Sequence, residues 1–234
     1  MELDPGTVSI IQLAWSRLLG LDDDALASGP DRLYAVDDDA SILTFVSLFG
    51  REVLSGPGWA VEAGRAMAST ELRSHSALLT LSREHGGRGL GEAQLYFCDD
   101  LPRLEGPPAV VSGEASFVRE LERRCPPDDV AEAGLSTVEH PFVLVDRDDP
   151  AAPLAGAGYD IWQGILAHVT VITPPEERHK GYAGRVAAVA VEHAMAAGLV
   201  PQWRARTDNT ASQRTARRAG FSFAGTQTSV LLGA

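Results

Sequence analysis

Residues 164–173, Gly-Ile-Leu-Ala-His-Val-Thr-Val-Ile-Thr, form an extended apolar run that stops at Pro174 and Pro175. Its partial alternation predicts a strand, and its apolar weight predicts a central one. After a polar stretch the period changes: Val186, Val189, Ala190, His193, Ala194 and Ala197 recur at helical spacing, predicting a helix from about Tyr182 to Ala197. Upstream, Ile10, Leu13, Ala14 and Leu18 predict an amphipathic helix over 6–20, followed by strands at 32–36 and 41–49, helices at 58–68 and 71–84, and a strand at 94–98. Downstream come a helix at 115–125, a short helix opened by Pro126 and Pro127, and strands at 141–149 and 154–163. A strand at 199–207, a helix at 211–220 and a closing pair of strands at 221–225 and 228–232 complete the pattern. Strands interleaved with helices predict a mixed α/β (α+β) chain.

Acid and proline meet in Asp-Asp-Leu-Pro-Arg-Leu-Glu-Gly-Pro-Pro at 99–108, which suits a linker and divides the chain into an α/β region at 1–105 and a second domain at 106–234. Two other segments invite a ligand and are assigned none. Asp37-Asp38-Asp39 reads as a solvated turn. The glycine-rich 85–93 is flexible and precedes its strand, the reverse of the order a dinucleotide fingerprint needs.

The 234 residues are 44% hydrophobic, enough for a core, and carry a formal charge of −12. The charge is unevenly placed. Residues 1–154 hold 12 basic and 27 acidic groups, a net −15, whereas 155–234 hold 8 and 5, a net +3. An acidic excess on this scale argues against nucleic acid as the partner, because phosphate neutralisation needs clustered cations. The absence of a long apolar segment and an acidic rather than basic amino terminus lead to the expectation of a cytoplasmic protein with no membrane partner. Cys98 and Cys125 lie far apart with no Cys/His cluster, so they read as inert buried thiols and no metal site is expected.

Against that acidic background, 174–185 (Pro-Pro-Glu-Glu-Arg-His-Lys-Gly-Tyr-Ala-Gly-Arg) contains Lys180, the sole lysine, beside Arg178, His179 and Arg185. The prolines end the strand, Gly181 allows a close approach, and the helix beginning near Tyr182 leaves its first amides unpaired. Such an arrangement suits a phosphate. It lacks the Gly-Lys-Ser/Thr ending of a nucleoside-triphosphate loop and any Ser or Thr placed for magnesium, so a metal-free diphosphate fits better.

These residues resemble the GNAT superfamily of N-acetyltransferases, whose signature is a strand followed by Pro-x-x-Arg/Gln-x-x-Gly-x-Gly/Ala and a helix. Here it is Val171-x-Thr173-x-Pro175-x-x-Arg178-x-x-Gly181-x-Ala183, with a second similarity at Asn209-x-x-Ser212, Ala216 and Gly220-Phe221. The resemblance covers about 115–234 and implies a mostly antiparallel central sheet flanked by helices, with residues 1–105 as an added N-terminal region. It also implies acetyl transfer from acetyl-CoA to a primary amine, on a small molecule or a protein, by direct attack in a ternary complex. The backbone of Val171, Ile172 and Thr173 would pair with the pantetheine amides, and the amides of His179, Lys180, Gly181, Tyr182, Ala183 and Gly184, with Arg178, would hold the pyrophosphate. Asn209 and Ser212 would contact the cofactor, Asn209 orienting it or instead capping its helix. His168, in the strand before the expected wedge, is a candidate general base or a packed histidine, and both readings stay open. Ala216 stands where many members place a tyrosine acid, leaving Ser212 or water for that role. A catalytically silent acyl-CoA-binding module is the alternative reading, and a homodimer stays open.

Overall fold

The computed structural model describes residues 2–102, 110–147, 149 and 152–233, so most of the expected linker lies outside the described residues. In chain order the elements are α1 (Pro5–Leu18), α2 (Ala25–Ser28), β1 (Arg32–Val36), β2 (Ile42–Leu48), β3 (Arg51–Gly56), α3 (Gly58–Arg65), α4 (Ser69–Leu72), α5 (His75–Leu81) and β4 (Arg88–Phe97). Then follow β5 (Val110–Ser112), α6 (Ala115–Arg123), α7 (Pro127–Ala133), β6 (His140–Val145), β7 (Pro153–Trp162), β8 (Leu166–Ile172), α8 (Tyr182–Ala196), β9 (Val200–Arg206), α9 (Thr210–Arg218) and β10 (Ser222–Leu231). They group into two compact units. One comprises Met1–Asp4, Phe97–Trp203 and Arg214–Ser222; the other comprises Pro5–Tyr96, Arg204–Gln213 and Phe223–Ala234.

In the second of these units the strands run β1-β3-β2-β10-β4. β2 and β3 are antiparallel and joined by Phe49–Gly50, both at positive φ, a two-residue turn whose twist suits a hairpin. The sequence pattern missed β3 because it opens on Arg51–Glu52 and is short. β10 pairs with β2 from Gly225↔Leu48 to Leu231↔Ile42 and is one strand, not the expected closing pair. Gly225 is no turn: a Cβ there would lie 1.8 Å from the carbonyl oxygen of Ser47, so glycine is what lets the two strands meet. The expected flexible segment 85–93 is also corrected, since β4 takes it up from Arg88. On α1 the buried residues are Ile11, Ala14, Trp15 and Ser16, while Ile10 and Leu18 are exposed, so its inward face is rotated from the expected one. Asp38, in the acidic triplet, accepts the Gly58 amide at 2.8 Å and so caps α3.

The other unit carries the order β9-β8-β7-β6-β5, antiparallel from β5 to β8 and parallel between β8 and β9. Alternation along β7 assigns the faces. Gly156 and Gly158 lie under Leu121, Leu135 and Val138, where a Cβ would come within 2.4–2.5 Å of those side chains, so small residues admit α6 to that face. Val118, Leu121, Leu135, Val143, Val145 and Ile172 form its core. Each such fully buried aliphatic side chain contributes about 1.5–3 kcal/mol. α8 packs on the opposite face, burying Val186, Ala187, Ala190, Val191 and Ala194; the small alanines let its backbone approach the sheet. Tyr159, on that face and fully buried, shares a 2.8 Å hydrogen bond with Nδ1 of His193. Burial, then the charge of Glu139, raises the phenol's pKa above its ordinary value, and the exposed His193 also has ring contacts with His140 and Phe142.

Candidate functional site

β8 delivers the chain to the site. Its ladder with β9 runs from Leu166↔Val200 to Val169↔Trp203 and there ends. Thr170, Val171 and Ile172 remain paired to β7 through Gly158, Ala157 and Gly156, yet have no β9 partner on the other edge. A strand edge released in mid-sheet presents amide and carbonyl groups to whatever extended chain lies beside it.

Beyond Ile172 the prolines do what their chemistry requires. Pro174 is extended, Pro175–Glu177 makes one 3-10 turn, and Arg178 is extended again. His179 then adopts φ 65 and Gly181 φ 90. A left-handed histidine costs backbone energy of order 1–3 kcal/mol, which surrounding structure must hold in place; such conformations concentrate at ligand clamps. Gly181 makes the second left-handed turn without that strain. The first intrahelical bond of α8 runs from Arg185 N to the carbonyl of Gly181 at 3.2 Å, so the amides of Tyr182, Ala183 and Gly184 are left over from the helix. Nothing lies within 4 Å of a Cβ built on Gly184, so the approach to those amides is open. Thr173 Oγ1 is buried without a hydrogen-bond partner among the described residues. A free strand edge, surplus amides and open space together fit a ligand that is extended at one end and anionic at the other.

The charges differ from the expected simple basic cluster. Arg178 donates from Nε to the Thr173 carbonyl at 3.0 Å and from a terminal nitrogen to Asp129. Lys180 reaches Glu177 at 3.0 Å. Arg124, at the end of α6, spans Glu176 at 2.8 Å and the Pro153 carbonyl at 2.7 Å, with Glu177 at 3.6 Å. Glu176's pKa is held below the usual carboxylate value, chiefly by its own backbone amide and then by Arg124. The loop is therefore close to neutral, and what faces a ligand is backbone dipole more than free cation. Asp129 and Arg124 gave no sequence signal, since Asp129 reads equally well as an ordinary acid in a helix's first turn.

His168 lies in register with Asp160 on β7 and Gln202 on β9, one residue before the ladder ends. Its ring stacks on Trp162 at 4.2 Å and 28°, and Nδ1 is 3.4 Å from Nε2 of the fully buried Gln202. On the same face, Thr170 donates to the Ala133 carbonyl at 2.7 Å, tying β8 to the end of α7. Asn209 and Ser212 fall in the other compact unit, where Asn209 Oδ1 accepts the Ser212 amide at 3.0 Å and caps α9. Ala216 is fully buried and offers no functional group. Burial pushes the Cys98 and Cys125 thiols up to about 11, so neither is poised as a nucleophile. Among the described residues there is no cluster of three or more His, Cys, Asp or Glu side chains able to hold a metal, and no helix long and apolar enough to cross a membrane.

The comparisons with known proteins fall on this part of the chain. Residues 159–229 match the family model of the GNAT acetyltransferases, so the similarity to that family lies in the C-terminal part of the chain. Among solved structures, a chain from Novosphingobium aromaticivorans described as of the GNAT family is 24% identical, with a TM-score of 0.46 over 64% of this chain and 69% of that one. A GCN5-related N-acetyltransferase from Kribbella flavida is 19% identical, with a TM-score of 0.48 over 67% and 64%. A GNAT-family acetyltransferase from Colwellia psychrerythraea is 19% identical, at 0.44 over 64% and 60%. This chain thus spans 60–69% of the length of those three. No curated protein matches the chain.

Proposed function

We propose that this protein transfers an acetyl group from acetyl-CoA to a primary amine by direct attack in a ternary complex. The observation that carries the reading is the end of the β8–β9 ladder at Val169↔Trp203, directly ahead of the left-handed turn at Gly181 and the α8 start. Acetyl-CoA, the co-substrate the family implies, supplies an activated acyl thioester. Val171, Ile172 and Thr173 offer it an unpaired strand edge, and the amides from His179 to Gly184 offer its diphosphate a set of fixed dipoles. One Thr173 carbonyl lone pair is already taken by Arg178, leaving the second for a ligand. A backbone amide near Val171 would, on this reading, stabilise charge developing on the thioester carbonyl oxygen.

The acceptor must present a neutral amine, and His168 is the titratable side chain on β8 that precedes the open edge. Its stacking on Trp162 and its contact with Gln202 orient the ring, as a proton-handling group requires. Assay of acetyl transfer across a panel of small amines and peptide amines tests the reading. It stands if at least one amine is acetylated with sequential kinetics, and fails if none is while acetyl-CoA binds normally. That failure is what the second reading predicts: an acyl-CoA-binding module without turnover, favoured by the fully buried Ala216 at the position of the family's tyrosine acid.

A further inference from the structure

The cradle loop is fastened to the helices beside it by carboxylates. Arg124 clasps Glu176 from α6, and Asp129, in the first turn of α7, takes a terminal nitrogen of Arg178. The far end of α7 is held by Thr170 through the Ala133 carbonyl. Arg178 is the arginine of the signature, yet in this structure two of its donors are engaged within the protein and its charge is met by Asp129. A carboxylate on that guanidinium and a phosphate beside the same loop are like charges bidding for one cation. The Arg178 and Asp129 side chains are 42% and 40% exposed, so the ion pair is strong enough to bias the cation and weak enough to yield it.

We infer that Asp129 sets the affinity of the site: it holds Arg178 in check, and a bound diphosphate must draw the guanidinium away from it. This rests on the acetyl-CoA reading above. An acid whose removal improves binding is the reverse of what a merely structural ion pair predicts. It also gives the site a way to release a polyanionic product, because Asp129 stands ready to recapture Arg178.

The test is calorimetric titration of the full chain with acetyl-CoA. Asp129→Asn, which keeps the size of the side chain and removes its charge, is expected to bind about two- to fivefold tighter than the native protein, the range of a half-exposed ion pair. Asp128→Asn makes the same charge change in the same turn and is expected to leave affinity within about twofold, which separates the pair from net charge. In an Arg178→Gln background the gain from Asp129→Asn should vanish. Equal or weaker binding by Asp129→Asn, or an undiminished gain without Arg178, overturns the inference. If Asp129→Asn melts well below the native protein, Asp129→Ser is titrated instead and the same outcomes apply. Absence of binding by the native chain would instead count against the acetyl-CoA reading itself.

Discussion

Arg178 and Asp129 form an ion pair that joins the signature loop to the first turn of α7. The arginine that sequence comparison would hand to the phosphate is therefore already occupied, and its neighbour Lys180 is paired with Glu177. Arg178→Gln should accordingly weaken acetyl-CoA by no more than about fivefold, since only a half-exposed, already neutralised cation is lost. A loss of a hundredfold would mean that the guanidinium, and not the amide set, dominates the grip.

For His168 two roles stand open, a base for the acceptor amine and a packed ring. If it takes the proton from the acceptor, His168→Gln lowers kcat by about 10²- to 10⁴-fold with little change in acetyl-CoA affinity. A change of less than tenfold in kcat would assign the ring to packing between Trp162 and Gln202. Steady-state rates together with a binding titration distinguish the two.

Glu176 gives a pH dependence whose sign is fixed. Its folded pKa is depressed below 4.5 by its own backbone amide and by Arg124. The associated stability is present above the unfolded pKa and is lost as pH falls through the lower, folded value. Glu176→Gln should therefore show a shallower fall in melting temperature than the native protein below about pH 4.5, and the same slope above pH 6. Identical acid limbs would show that the Arg124–Glu176 clasp does not differ between folded and unfolded chains.

How much of this was legible in the sequence depends on what each feature rests on. The β8 run, the proline stop and α8 were readable because apolar period and proline chemistry are local. The left-handed Gly181 fits the same local logic. β3 was hidden, since its evidence is pairing with β1 and β2 rather than its own composition. Gly225 suggested a turn, but its role is the close approach of Ser47, a contact across the sheet. At the site, the basic residues were visible and their neutralisation was not. Asp129 lies 49 positions from Arg178 and Arg124 lies 52 from Glu176, and no local pattern announces such partners.

The central claim is that the chain segment from β8 to the start of α8 holds the cofactor through backbone amides. Calorimetric titration with acetyl-CoA, comparing the native protein with Gly181→Glu, tests it most directly. A side chain at φ 90 is strained, and a carboxylate there would face the diphosphate, so binding is expected in the native protein and loss of at least a hundredfold in the variant. Equal affinity in the two proteins would contradict the account.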